Sequence, residues 1–412
     1  MTGNGSNDVT ASSPVSEGSA ADTRTGWRDV WTAPRARLWL AMAAIAAWLP
    51  LLGMPGRGWL DFSAFYAAGA LAFGPRVIDL GEIAAYQAVR GLPNTPFLYP
   101  PGLAIVYVPF AGLPYDLAAA IHVALQALAL LAAAGLAARV YGLPGRWAIL
   151  GTIAWAPAAA AVVSGQNSAV LLLLTMIATW ALSRGTRSHV LAGLAVGLAA
   201  YRPHLGLPLF GLVAWRRAWQ AVAVAGLVMG VHYALGVIAT GGLLDWPVRW
   251  LSTVGAETAN DFQSVGWQAI GLPGILGRLS FGGSAPGSLF GPALIGYLIG
   301  LVLIVSSLGA LRRWDAPRAI ALACALALFA GPRGFAYDGT MLLPAIAILA
   351  HDGMERGWPW HYRWLLAAGY GVALVWPFGG VVGVNPLAIL VLAAPFVLLG
   401  RGPFRGFGPD AA

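Results

Sequence analysis

Apolar runs separated by short polar breaks occupy almost the whole chain after residue 37. They fall near 38–54, 117–138, 147–163, 167–183, 189–201, 204–215, 218–240, 288–311, 317–331, 338–351, 364–379 and 386–400. About 20 helical residues cross a bilayer core of about 30 Å. The pattern predicts an all-α polytopic membrane protein of about twelve transmembrane helices, short runs such as 204–215 being candidates for re-entry. Between the first two runs, residues 61–98 carry Asp79, Glu82 and Arg90 and are too polar to span. They predict one or two amphipathic helices lying on the membrane surface. The next stretch, Tyr99 to Phe110, is apolar but broken by Pro100, Pro101 and Pro109.

The arginines decide whether that proline-broken stretch crosses. If it dips in and returns, Arg35/Arg37, Arg139/Arg146, Arg184/Arg187, Arg216/Arg217, Arg312/Arg313/Arg318, Arg356/Arg363 and Arg401/Arg405 all fall on one side. Positive flanks stay cytoplasmic, so both termini are expected inside, with Trp59 and Asp61 outside. The same topology puts Ser164-Gly-Gln-Asn167, Tyr201-Arg-Pro-His204, the loop 241–287 and Gly331-Pro-Arg-Gly-Phe-Ala-Tyr-Asp338 on the outer side. Retention of positive charge inside accounts for the inner arginines but not for Arg202, Arg278 or Arg333. That asymmetry points to a site on the outer face.

Composition agrees with the membrane reading: 58% of the 412 residues are hydrophobic and 10% charged, against about 25% charged in soluble domains. Mean hydropathy is +0.72. The 24 basic residues, against 16 acidic, are all arginine. Their place in short loops favours topology and phosphate contact over nucleic acid. Cys324 stands alone in an apolar run, which excludes a disulfide framework and a thiolate metal cluster. The tail, residues 1–36, opens with a Gly-, Ser-, Thr- and Asp-rich segment and reads as disordered and cytoplasmic, as does 403–412; the membrane domain is 37–402.

Asp61 is either an interfacial acid in water or a general base facing a membrane-surface site. Tyr99 opens the Tyr-Pro-Pro turn, which is a helix start or part of a site. Gln166 and Asn167 form an ordinary turn or bind sugar hydroxyls. Pro203 breaks a helix and leaves Arg202 and His204 at membrane depth. Arginine there snorkels or grips a phosphate through paired donors. Arg333, Tyr337 and Asp338 repeat the pattern, and Arg278 is a weaker phosphate candidate. Trp246, Trp250 and Trp267 suit an interfacial belt or stacking on sugar rings. No phosphate-binding loop, dinucleotide fingerprint, zinc motif or nucleophile elbow occurs in a credible setting.

Taken in order, Asp61-Phe-Ser-Ala-Phe-Tyr-Ala-Ala-Gly69, Tyr99-Pro-Pro101, Gly165-Gln-Asn167, Ala192-Gly193 with Gly197, Arg202-Pro203 and Tyr337-Asp338 resemble glycosyltransferase family 87. These are polyprenyl-phosphate-sugar-dependent mannosyltransferases of the GT-C superfamily. The resemblance covers roughly residues 55–350. It implies a GT-C-like bundle with an outer catalytic pocket in a bacterial inner membrane, and a donor such as polyprenyl-phosphate mannose. The acceptor is a lipid-linked or other glycan. Asp61 matches the family's motif acid, the expected general base. Two positions depart from the pattern: Arg202 stands where relatives often have lysine, and Tyr337-Asp338 where they often have a histidine. On this reading Asp61, Asp338 and Tyr337 are catalytic, while Arg202, His204, Arg333, Arg278, Tyr99, Gln166 and Asn167 bind substrate. The donor is already activated, so no metal or cofactor is expected. A lipid transporter or flippase and a non-catalytic envelope-assembly protein are the alternatives.

Overall fold

A computed structural model describes residues 34–52, 60–264, 266–279 and 291–400. The expectations for residues 1–33 of the N-terminal tail, for the C-terminal tail and for Trp59 lie outside these residues, as do residues 265 and 280–287 of the long loop. In chain order the helices are α1 (Pro34–Leu52), α2 (Phe62–Leu71), α3 (Leu80–Val89), α4 (Ala104–Ala111), α5 (Tyr115–Val140), α6 (Gly145–Ile153), α7 (Ala156–Ser164), α8 (Ser168–Ser183) and α9 (His189–Ala199). They continue as α10 (Pro203–Trp215), α11 (Trp219–Ala239), α12 (Trp246–Ser264), α13 (Leu272–Leu279), α14 (Pro292–Arg313), α15 (Ala316–Ala330), α16 (Leu343–Glu355), α17 (Trp360–Val375) and α18 (Leu387–Leu399). Short 3-10 turns at Pro101–Leu103 and Ala336–Leu342 lead into α4 and α16. No strand occurs among the described residues.

A helix sits on each of the twelve apolar runs, and the runs differ in how much of a bilayer a single helix could cover. Among the described residues only α5, α11 and α14 are each long and apolar enough to cross alone. The pair α6 and α7 passes together but is bent by 64°. The longest of the shorter apolar helices, α8, has 16 residues, about 24 Å at 1.5 Å per residue. At 8 residues, α4 extends only about 12 Å, in keeping with a proline-broken stretch that dips in without crossing.

Of the one or two surface helices expected within residues 61–98, the first loop has one. Its second helix, α3, is a surface helix with only Ile83 and Gln87 buried, started by Asp79, whose carboxylate accepts from the backbone N–H groups of Gly81 and Glu82. Its first helix, α2, is not amphipathic on a surface but buried all round: Phe62 and Phe65 are fully enclosed, as are Ala67 and Ala68. Small residues make this possible. A Cβ on Gly69 would lie 2.4 Å from the Tyr107 carbonyl oxygen, so α2 rests directly on the α4 backbone. Phe65 stacks on Tyr107 with ring centroids 4.7 Å apart.

Glycine also brings α9 and α11 together. A Cβ on Gly193 would meet the Ala221 carbonyl at 2.6 Å, and one on Gly197 would meet Val228 Cβ at 2.6 Å. Apolar association gives little drive between helices inside a bilayer, so such small-residue seams supply packing contact instead. This seam fixes the end of α9, from which Arg202 projects. The core itself is alanine-rich around α7, α8, α9 and α15, and the helix breaks that carry polar groups meet at one end of it.

Candidate active site

Four breaks converge. The first is the start of α2, where the Asp61 backbone N–H donates to the Ser164 carbonyl at 2.9 Å. The Leu60 carbonyl just before it accepts from the Ser63 and Thr95 hydroxyls, and Gln87 donates to Thr95 O. Asp61 thus starts a helix whose entry is pinned from two sides. The second is the α7–α8 turn, where Gly165 adopts φ +76. Its Cβ would stand 2.7 Å from Phe62 Cβ, so both the backbone conformation and the space require glycine. Across from it, His122 on α5 lies 2.9 Å from the Gly165 carbonyl oxygen. We expect Gly165→Ala to cost at least about 1–2 kcal/mol for the left-handed conformation alone. Because the added carbon also pushes on α2, the thermal midpoint of the purified protein should fall by more than that conformational cost alone.

The third and fourth breaks supply the charges. Arg202, at the α9–α10 junction, is 2% exposed. Its Nη1 donates to Ser168 Oγ at 2.8 Å and to Asp338 Oδ1. Its Nη2 donates to Tyr99 Oη at 2.7 Å and to Gln166 Oε1 at 2.6 Å. Two N–H bonds sit on each terminal nitrogen, so all four are engaged. The guanidinium also lies 5.5 Å from the ring centroids of both Tyr99 and Tyr337. Asp338, itself 2% exposed, spends its other oxygen on the Phe335 N–H at 3.0 Å. The turn 335–342 is thereby closed by the same carboxylate that neutralises Arg202.

Asp61 differs from Asp338 in its access. It remains part-exposed, with the Ser164 and Gln166 side chains as hydrogen-bond partners and with Arg202 and Arg333 near enough to act on its charge. Since Gln166 Oε1 is already taken by Tyr99 and Arg202, its amide nitrogen is the group left for Asp61. Burial raises the Asp61 carboxyl above the usual carboxylate range; the Ser164 and Gln166 hydrogen bonds and the two arginine charges oppose that rise. Arg333 is half-buried, 5.2 Å from the Phe335 ring centroid. His204, in the first turn of α10, is exposed yet within electrostatic reach of Asp338, Arg202 and Arg333. The accessible groups Asp61, His204 and Arg333 therefore open onto the network from which Arg202 and Asp338 are sealed.

Asn167 is buried, its backbone carbonyl accepts from the Tyr201 hydroxyl at 2.7 Å, and its side-chain amide lacks a hydrogen bond of good geometry among the described residues. Arg278 lies beside Gly383, its Nη2 3.4 Å from where a Cβ on that glycine would stand. Two participants escaped the sequence reading. Ser168 follows the Gln-Asn pair directly and accepts from Arg202. His122, with Gln126 one turn on, was visible as a polar residue inside an apolar span. Among the described residues, no group of three or more His, Cys, Asp or Glu side chains is placed to hold a metal ion.

The fold and this cluster define a class: a helical membrane protein whose chemistry-bearing residues gather at helix breaks around a buried ion pair. The model of glycosyltransferase family 87 matches residues 97–332, more than half of the chain, and the chain belongs to that family of membrane glycosyltransferases. No curated protein and no solved structure matches it. The matched residues include Tyr99, Gln166, Asn167, Arg202, His204 and Arg278. Asp61, Arg333, Tyr337 and Asp338 lie outside them, so their place beside the matched residues rests on geometry.

Proposed function

We propose that this glycosyltransferase moves a hexose, mannose on the family resemblance, from a polyprenyl-phosphate sugar to an acceptor hydroxyl at the outer face of a bacterial inner membrane, within a GT-C-like bundle. The observation that carries the reading is an accessible carboxylate, Asp61, held beside cationic Arg333 at the rim of a sealed ion-pair network. In the reaction the acceptor oxygen forms the new bond to the anomeric carbon, the bond from that carbon to the phosphate oxygen breaks, and polyprenyl phosphate departs as an anion. Asp61 takes the acceptor proton as general base. Arg333, with His204 beside it, stabilises the departing phosphate, where sparse water strengthens the interaction.

Arg202 receives a different task from the one its charge first implied. With all four terminal N–H bonds engaged, it holds Tyr99, Gln166 and the 335–342 turn in place rather than gripping phosphate. Asp338 is its counter-ion, and Tyr337 flanks it. Gln166 orients Asp61, and Asn167 remains a candidate for sugar contact. The test is transfer of label from polyprenyl-phosphate mannose to endogenous acceptors in membranes containing the protein. Label that stays in the donor, with mannose and with other hexoses alike, would sink the reading.

The acid limb of the rate profile gives a further check. A base must be deprotonated, and burial holds the Asp61 carboxyl high, so kcat/KM should begin to fall at a pH above the ordinary carboxylate value of about 3.9. Ser164→Ala removes a hydrogen bond that favours the charged form. The limb should then move to still higher pH while the plateau stays within about fivefold, the equivalent of about 1 kcal/mol. A limb that stays put in Ser164→Ala would detach it from Asp61.

A further inference from the structure

The loop between α11 and α14 carries a helix, α12, with three distinct sides. Trp246 is buried, and Trp250, Val254 and Thr258 follow it at helical spacing on the side that meets the protein. Arg249, Ser252, Ala256 and Asn260 form a second, polar stripe that is exposed, with Arg249 paired to Asp245 at 2.9 Å. Between these lies a third stripe. Val248 is 71% exposed and Leu251 59%, and Leu244 just before the helix is 70% exposed. The tryptophans expected to form a belt thus turn inward here, and aliphatic residues take the outward position.

The start of α12 has a fixed depth. Tyr233 on α11 donates its hydroxyl to the Leu244 carbonyl at 2.9 Å, and Trp246 Nε1 donates to the Tyr233 carbonyl at 3.1 Å. A Cβ on Gly236 would come within 2.4 Å of the Trp246 ring. Tyr233 and Gly236 precede the end of α11 at Ala239, so α12 begins about 5–9 Å below that end at 1.5 Å per residue. The same helix is one of the long apolar spans, and its outward residues Leu227, Val231 and Ile238 are exposed. The aliphatic stripe of α12 therefore continues the lipid-facing surface of a span, while its Arg249 stripe turns toward water.

We infer that the first turns of α12 are embedded in the lipid interface, with Leu244, Val248 and Leu251 in the acyl boundary and Arg249 and Ser252 in the headgroup layer. A helix with an apolar stripe and a charged face is driven to that boundary by its exposed apolar area. Beyond α12 the chain backs the arginine-bearing turn: Ile270 N–H donates to the Gly334 carbonyl at 3.0 Å, and Gly274 allows the Pro332 carbonyl to approach. The lipid surface and Arg333 are thus joined through one segment of the fold.

The test is depth-dependent quenching in the full-length protein reconstituted into phosphatidylcholine–phosphatidylglycerol vesicles. The one native cysteine, Cys324, is buried; it is replaced by alanine, and an environment-sensitive fluorophore is attached at Val248→Cys, Leu251→Cys or Ser252→Cys. Nitroxide on shallow acyl carbons should quench positions 248 and 251 several-fold more than iodide present on both sides, and the ratio should reverse at 252. Equal iodide quenching at all three positions would place the stripe in water. Protection at 248 and 251 from both quenchers would mean that protein covers it. Either result overturns the inference, and neither touches the transfer reading, since no activity is measured.

Discussion

Asp61→Asn is expected to lower kcat by about 10²- to 10⁴-fold, the usual contribution of a positioned base, with little change in KM for the donor. The amide is nearly the same size and its oxygen can still accept from Gln166 and Ser164, so the start of α2, its bond to the Ser164 carbonyl and the packing of Phe62 should survive. The thermal midpoint should accordingly match the wild type. This combination separates loss of chemistry from loss of structure, because an interaction made only in the transition state lowers kcat and kcat/KM together. Asp61→Glu keeps the base but moves it by about one methylene, and we expect partial recovery. Retention of more than a tenth of wild-type transfer in Asp61→Asn would remove Asp61 as the base.

Arg202→Met is expected to damage the fold before the chemistry. It leaves Asp338 charged, 2% exposed and without its counter-ion. Breaking one side of a buried pair costs about 3–5 kcal/mol, a large part of a typical total of about 5–15 kcal/mol. The substitution also takes away the Arg202 bond to the Ser168 hydroxyl and leaves Gln166 Oε1 accepting from Tyr99 alone. A lower thermal midpoint and loss of a monodisperse peak in detergent should report this. The double variant Arg202→Met with Asp338→Leu should regain much of the stability, because no unpaired charge remains, yet stay poor in transfer, because Gln166 keeps only its Tyr99 donor and the 335–342 turn loses its carboxylate tie. Arg202→Lys keeps the charge but has three donors on one nitrogen in place of a planar fork, so it should fall between. If Arg202→Met unfolds at the wild-type temperature, the positioning role is wrong and a phosphate contact returns as its best assignment.

The family-87 chain shows how much a membrane sequence reveals before its fold is known. The apolar runs, the all-helical character and the place of the Asp61, Tyr99, Gln166, Arg202 and Arg333 motifs at helix breaks were all legible. The bilayer forbids unpaired backbone in lipid, so polar residues and prolines inside apolar stretches mark the breaks directly. Two features were not legible. The surface placement expected for residues 62–71 failed because their alternation of aromatic and small residues fits either an interfacial helix or one enclosed on all sides. Only Gly69 against the Tyr107 backbone and Gly165 against Phe62 decide between these. Likewise, Pro157 marks a break between α6 and α7, but the 64° angle at which the two helices meet was not readable from run length.

What the sequence determined by itself was where charge and helix breaks occur, because hydrophobic length and proline act locally along the chain. The tertiary structure alone decided which charges are used up. Asp61 and Asp338 are both acids at a helix start in the sequence. In the fold, Asp338 is paired with Arg202, 136 residues away, and sealed, while Asp61 keeps access to solvent. Pairing across such separations depends on how the α9–α11 seam and the α7–α8 turn bring distant segments together. No local pattern encodes that, and it is what divides the arginine that holds the site from the carboxylate left free to act in it.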